Sequence, residues 1–196
     1  MVRVPSSPAL RLAAAAGLAA AALAAGCSSS GSPHAAASPS HAPPVTMKLT
    51  SSAFEDFGTI PKLYTCDGQS ISVPLSWSGA PKGTAWLALT VIDPAGPVTH
   101  WYVIDIPPAT TGIKQGASYP NSTPGKQLTS WLGMCPQGGP GIPDTYQFTV
   151  YAMPSSYKPP KTYAGFAQDE NALAASVDGL AANAIGIGQL FGYYAD

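Results

Sequence analysis

Asp93 and His100 are the residues whose types and spacing offer the most chemistry. Asp93 ends an apolar run, a turn of sequence Pro-Ala-Gly-Pro follows, and His100 opens the next alternating segment. A carboxylate at the end of a hydrophobic strand is partly desolvated unless a donor reaches it, and a nearby imidazole is such a donor. The two side chains could also share a ligand. The same spacing fits a turn-capping aspartate and a core histidine, and the sequence leaves these interpretations open.

The scarcity of other reactive side chains excludes several classes of site. From Val45 onward the chain has one histidine, two cysteines and no arginine, too few for a structural zinc site with four Cys or His ligands. The glycine-rich run at 138–141 lacks the Lys-Ser/Thr of a phosphate-binding loop, and there is no Gly-x-Ser-x-Gly turn. No basic stripe exists for nucleic acid. We therefore expect no metal, no cofactor and no nucleic-acid partner.

The N-terminal region has the composition of an export signal. Arg3 and Arg11 precede fourteen residues of Leu, Ala and Gly, a run too short to span a bilayer but typical of a signal-peptide core. The run ends in Leu-Ala-Ala-Gly-Cys at Cys27, which resembles a bacterial lipobox with a lipidated cysteine. We predict a signal peptide over residues 1–26. An ordinary secretory signal with an incidental cysteine is the alternative.

Residues 27–45 are the predicted tether. They are rich in Ser, Ala and Pro, a composition that cannot bury enough apolar surface to fold. Acyl chains on Cys27 would hold the folded domain, residues 46–196, at the outer face of the cell membrane.

Charged residues make up only 10% of the whole chain, against roughly 25% in an average protein. Neither a coiled coil nor charge-driven disorder therefore fits the domain.

Alternating and apolar segments predict a mainly β domain. Four segments have the length and pattern of strands: Leu75–Ser78, Ala85–Asp93, His100–Ile106 and Thr145–Met153. The helical spacing of apolar residues, with acidic residues at the start, predicts one helix over residues 169–184. Strands followed by a late helix favour a sandwich or a mixed sheet over a βαβ fold.

Alternation also predicts which side chains share a face of the sheet. Tyr146, Phe148 and Val150 should face together. In the segment from 100 to 106, one face should carry His100, Tyr102, Ile104 and Ile106, and the other Trp101, Val103 and Asp105.

Several short motifs occur in order and at consistent spacing. They are Tyr64-Thr65-Cys66-Asp67-Gly68, Ser76-Trp77-Ser78-Gly79-Ala80-Pro81, Asp93-Pro94 with His100-Trp101, Gly133-x-Cys135-Pro136, the run from Tyr146 to Ala152, and Gly192-Tyr193. Together they resemble the phosphatidylethanolamine-binding protein family, in its bacterial branch often called Raf kinase inhibitor-like. The resemblance covers nearly all of residues 47–194.

This resemblance implies a large antiparallel sheet with a few peripheral helices, and a small surface pocket that takes anionic groups. It places Asp93, His100, Pro136 and Tyr146 in that pocket. Trp131 is expected near the pocket because it shortly precedes the second cysteine of the domain.

Two positions depart from the family pattern. Ala95 stands where a second aspartate is usual, and Asp144-Thr145 replaces the His-Arg that precedes the tyrosine. The pocket thus loses one carboxylate and one imidazole and gains another carboxylate, which should weaken the binding of an anion. A side chain of Asp144 that points to solvent is the alternative.

Cys66 and Cys135 form an even pair if Cys27 carries lipid. Outside the cytoplasm two remaining thiols are usually bridged, and the resemblance places both near the pocket rim. We predict a disulfide between them, with two small buried hydrophobic side chains as the alternative.

The resulting hypothesis is a non-catalytic, membrane-tethered binding protein for a small anionic or phospholipid-head-group-like ligand. A module that modulates a protease or kinase partner is one alternative. The other is a weak hydrolase that uses His100 as a general base oriented by Asp93.

Overall fold

The computed structural model describes residues 42–96, 98–139, 141–162 and 165–196. The predicted signal peptide, Cys27 and most of the predicted tether lie outside these ranges. Within them, the strands are β1 (Val45–Thr46), β2 (Lys48–Thr50), β3 (Gly58–Thr59), β4 (Leu75–Ser78), β5 (Thr84–Asp93), β6 (Val98–Ile106), β7 (Gly112–Ile113), β8 (Lys126–Thr129), β9 (Asp144–Pro154) and β10 (Gly186–Tyr194). Helix α1 spans Glu170–Asn183, and 3-10 turns cover Lys62–Tyr64 and Phe166–Gln168.

The strands form a large and a small sheet. The large sheet has the order β1-β10-β9-β5-β6-β8, and β3 also pairs with β10. Its central pairs are antiparallel, whereas β1 and β3, of two residues each, run parallel to β10. The small antiparallel sheet has the order β2-β4-β7. The predicted mainly β fold is thereby confirmed, with the large sheet mixed at its edge.

One apolar core lies between the two sheets and a second lies under the helix. The core between the sheets includes Trp77 of β4 and Phe148 of β9. Leu173 and Leu180 of α1 pack onto the other face of the large sheet. The Tyr102 hydroxyl and the Ser176 hydroxyl are hydrogen bonded at 2.6 Å, which fixes the helix to β6. No helix among the described residues is long and apolar enough to cross a membrane.

Helix α1 starts and ends close to the predicted positions. The Asp169 carboxylate accepts a hydrogen bond from Ala172 N at 2.9 Å and caps the first turn. Ala184 ends the helix in an extended conformation. The four predicted strands are likewise present, each identical to its prediction or longer by one or two residues.

Strand β6 contains an irregularity that corrects the predicted alternation. Leu87 pairs with Ile106 and Leu89 with Val103, so β6 has one more residue than β5 over this stretch. Asp105 adopts a φ of 54° at this bulge. As a result Ile106 joins the core between the sheets, not the face of Tyr102 as predicted. The prediction for the Tyr146, Phe148 and Val150 face is confirmed.

Candidate functional site

A cavity of about 450 Å³ opens where β5 ends and where β6 and β9 begin. Its wall combines the turn between β5 and β6, the segment around Cys66 and the loop that leads into β9. The lining residues are Cys66, Ser70, Asp93, Ala95, Gly96, Val98, His100, Leu132, Gly133, Cys135, Gln137, Gly138 and Asp144. The cavity therefore gathers residues from three separate parts of the chain.

Asp93 caps the turn and also lines the cavity. Its Oδ1 accepts hydrogen bonds from Ala95 N at 2.8 Å and Gly96 N at 3.3 Å. The side chain is only 5% exposed. Oδ2 has no hydrogen bond among the described residues, so one oxygen of a buried carboxylate stays available to a ligand.

His100 reaches the cavity because of a second bulge in β6. Val91 pairs with Trp101 and the next residue of β5, Ile92, pairs with Thr99, which leaves His100 as the extra residue. A bulge redirects a side chain within a strand. The His100 ring accordingly meets the Tyr146 ring edge-on, at a centroid distance of 5.1 Å, on the side of the core between the sheets.

The main chain at Leu132 fixes the His100 imidazole. A carbonyl oxygen can only accept, so Nδ1–H of His100 donates to Leu132 O at 2.9 Å. Burial lowers the pKa of His100, although the Leu132 carbonyl, Asp93 and Asp144 act in the opposite direction. The ring is therefore neutral near pH 7. It is 4% exposed, and Nε2 is an acceptor without a partner among the described residues.

The Asp144 side chain lies in the cavity wall and not in open solvent. Its Oδ2 accepts a hydrogen bond from Gln137 N at 3.0 Å, and Gln137 Nε2 donates to Cys135 O at 2.9 Å. Asp144 therefore orders the loop that precedes β9. The described lining contains no lysine or arginine, so the charged side chains of this wall are both carboxylates.

The predicted disulfide between Cys66 and Cys135 is present, with the two Cα atoms 5.5 Å apart. It joins two cavity-lining segments that also share main-chain contacts, since Cys66 N donates to Met134 O at 3.0 Å. The disulfide and this hydrogen bond hold the loop against the rest of the domain.

Three other predicted site residues lie at or beyond the edge of the cavity. Tyr146 is fully buried behind His100, and its hydroxyl has no hydrogen-bond partner in the described part of the chain. Burial, with the charges of Asp144 and Asp93, raises the pKa of Tyr146. Pro136 belongs to the loop, but its neighbours Cys135 and Gln137 form the wall.

Trp131 departs from the prediction. Its ring packs edge-on against Trp101, with centroids 5.6 Å apart, and it lines a separate depression with Ser118 and Tyr119. A hydrogen bond from Trp131 N to Ser118 Oγ at 2.7 Å holds it there. The prediction relied on the short distance in sequence between Trp131 and Cys135. It is wrong because this segment begins to line the cavity only at the next residue, Leu132.

Sequence reasoning missed Leu132 and Ser70. The contribution of Leu132 is its main-chain carbonyl, which every residue type possesses, so its identity gives no signal. Ser70 lines the cavity with a φ of 52°, an uncommon conformation for a residue with a Cβ. Its side chain packs so closely on Gly133 that a Cβ at that position would clash with Ser70 Oγ.

The described site residues do not include a cluster of metal-ligating side chains. Over the described ranges no three His, Cys, Asp or Glu side chains lie close enough to hold one. The arrangement instead suits a small ligand that donates hydrogen bonds to Asp93 Oδ2 and His100 Nε2.

The fold agrees with what comparison with known proteins finds. The family described as Phosphatidylethanolamine-binding protein matches residues 50–194. The chain therefore belongs to the phosphatidylethanolamine-binding protein family. The resemblance seen in the short motifs is thus confirmed.

Individual relatives and solved structures support the same conclusion. A candidate lipoprotein of Mycobacterium tuberculosis, LppC, is 36% identical over 149 residues, which cover 71% of this chain and 70% of that protein. A UPF0098 protein of Methanothermobacter thermautotrophicus is 37% identical over 118 residues, 55% of this chain and 76% of that protein. The crystal structure of Escherichia coli YbcL, described as a member of the mammalian PEBP family, has a TM-score of 0.61 at 25% identity and covers 76% of this chain and 98% of YbcL.

Proposed function

We propose that this protein is a non-catalytic binding protein, tethered to the outer face of the cell membrane, that takes a small phospholipid-head-group-like ligand in the cavity. The observation that carries the proposal is a pair of acceptors, Asp93 Oδ2 and His100 Nε2, on two largely buried side chains. Both belong to side chains that line the cavity, and neither has a protein partner among the described residues. Acceptors on cavity-lining side chains without a protein partner are available to a ligand that donates hydrogen bonds.

The tether rests on the sequence and on one relative. Cys27 follows an apolar segment and precedes a Ser-rich one, as in a lipidated protein. The mycobacterial relative is named as a candidate lipoprotein. Stable anchoring takes more than one acyl chain.

Binding is favoured over hydrolysis by the way His100 is held. In a catalytic triad, a carboxylate orients the imidazole through Nδ1. Here Nδ1 is bound to the Leu132 carbonyl, and the Asp93 carboxylate caps its own turn. Ser70 is the serine in the described cavity wall, and it makes no hydrogen bond to His100.

A protein-interaction module is a second candidate, and two exposed side chains favour it. Leu132, in the cavity wall, is 54% exposed, and Ile142, which packs on the lining residue Gly138, is 55% exposed. Exposed aliphatic side chains beside a cavity suit a protein partner that covers the mouth.

The experiment is a thermal-shift titration of the full chain in detergent with phosphoethanolamine, phosphate, acetate and a short-chain phospholipid. A ligand at 100 times its dissociation constant should stabilise the fold by about 2.7 kcal/mol. We expect a shift that is lost in His100→Ala and kept in Asp105→Asn, a change at the exposed bulge of β6. Absence of a shift with every ligand contradicts binding in the cavity and supports the protein-interaction candidate.

A further inference from the structure

We infer that the cavity selects the positively charged end of its ligand, a protonated amine, over an anionic group. This inference rests on the proposed function and deepens it, since a phospholipid head group carries charges of both signs. The family resemblance alone leads to the opposite expectation, a pocket that takes anionic groups.

The fixed charges of the wall favour a cation. Asp93 and Asp144 both line the cavity, and no lysine or arginine lies among its described lining residues. An anion would enter a space with two carboxylates and no opposite charge. A cavity of one sign of charge with low-dielectric walls concentrates ions of the other sign.

Three main-chain donors of the wall are also committed to its carboxylates. Ala95 N and Gly96 N donate to the Asp93 carboxylate, and Gln137 N donates to the Asp144 carboxylate. Such N–H groups are the ones that would otherwise bind an anion. The carboxylates of the protein itself therefore occupy three of the donors that an anionic ligand could use.

His100 adds an acceptor where an anion site would need a donor. Because Nδ1–H is bound to Leu132 O at 2.9 Å, the neutral ring presents Nε2, which accepts. The side chain is more than nine-tenths buried and lines the cavity. Nε2 and Asp93 Oδ2 are thus two acceptors on cavity-lining side chains, and a protonated amine brings three N–H donors.

An amine suits the geometry better than a metal ion. A metal needs several ligands close around it, and the described residues contain no such group of three. An amine can bond to one carboxylate and be attracted by the second through space. Val98 and Leu132 supply apolar surface in the same wall for its alkyl stem.

The test measures, by calorimetric titration of the full chain in detergent, the affinity of ligands that differ only in the charged group. The first pair is propylamine and propionate, and the second is phosphoethanolamine and ethyl phosphate. We expect each amine-bearing member to bind at least about ten-fold more tightly, the effect of one hydrogen bond to a charged group.

Two charge-neutralising variants locate the effect. Asp93→Asn and Asp144→Asn each keep an oxygen for the main-chain donors they accept from, and each should lower amine affinity about ten-fold or more. Asp105→Asn, outside the cavity, is the matched control and should leave the amine affinity unchanged. Unchanged melting temperatures of the unliganded variants show that they fold.

The outcomes separate this inference from the proposed function. If propionate and ethyl phosphate bind as well as the amines, and His100→Ala abolishes that binding, the cavity is a ligand site but the charge selection is overturned. If none of the four ligands binds, the proposed function and the charge selection are both overturned.

Discussion

His100 and the Leu132 main chain are joined by two hydrogen bonds of opposite direction, one from the imidazole and one to the main-chain carbonyl of His100. Nδ1–H of His100 donates to Leu132 O at 2.9 Å, and Leu132 N donates to His100 O at 2.7 Å. This pair sets the tautomer of the ring and pins the loop that carries Cys135. The loop and the imidazole therefore form one rigid wall of the cavity.

The buried imidazole should make stability depend on pH. Burial lowers the pKa of His100 in the folded protein, so the unfolded chain takes up this proton first as the pH falls. The His100 contribution should be constant above the ordinary histidine pKa of about 6.5. Stability should be lost as the pH falls below that value, and the loss should level off once folded His100 is also protonated.

Urea unfolding near neutral pH and at about pH 5 measures this loss. His100→Asn, which keeps an N–H donor for the Leu132 carbonyl, should lose less stability over the same interval. The two charged neighbours of the ring, Asp93 and Asp144, are present in both proteins. An equal loss in wild type and His100→Asn would refute a lowered pKa at this residue.

The Cys66–Cys135 disulfide should contribute strongly to stability. It joins residues 69 positions apart, and on the entropic account closing a loop of that length stabilises the fold by about 4 kcal/mol. Urea unfolding of the Cys66→Ser/Cys135→Ser protein should show a loss of this size. Two reactive thiols from these cysteines in the denatured, unreduced chain would argue against the bridge.

Removal of the hydroxyl should change the free energy of unfolding differently at two buried tyrosines. Tyr102→Phe leaves the buried Ser176 hydroxyl without its partner and should cost about 1–2 kcal/mol. Tyr146→Phe removes a hydroxyl that has no partner among the described residues, so it should be neutral or stabilising. Both side chains are fully buried, which makes each the control for the other. Equal losses of unfolding free energy would contradict this assignment of partners.

Cys27 should decide where the protein resides in the cell. If it carries lipid, the Cys27→Ser protein should leave the membrane fraction, while the Cys66→Ser/Cys135→Ser protein should stay in it. Fractionation followed by mass spectrometry of the N-terminal peptide makes the measurement. Membrane retention of Cys27→Ser, with an unmodified peptide in wild type, would exclude the lipid anchor.

The sequence predicts the regular parts of this fold well, because period-2 alternation holds wherever a strand is regular. The shared face of Tyr146, Phe148 and Val150 follows from it directly. The alternation of side chains between the two faces of β6 fails at His100 and Asp105. Each bulge inserts one residue, so the residues after it face the opposite side of the sheet from the one that strict alternation predicts. No residue type in β6 marks these insertions.

Two side chains of the candidate site could be predicted from the sequence, but its main-chain contacts could not. Asp93 and His100 were identified by their position around a tight turn, and both line the cavity. The hydrogen-bond partner of His100 could not be predicted, because the main-chain carbonyl of Leu132 has no sequence signature. Whether Asp144 faces the cavity depends on its bond to Gln137 N, which only the folded loop creates.

The most direct test of ligand binding in the cavity is an NMR titration that observes the His100 ring nitrogens while phosphoethanolamine is added. Our account predicts a saturable change at Nε2, with Nδ1 nearly unaffected because it stays bound to Leu132 O. The same titration of Asp93→Asn should need a higher ligand concentration to saturate. Ligand binding detected by calorimetry with no change at His100 Nε2 would contradict the account.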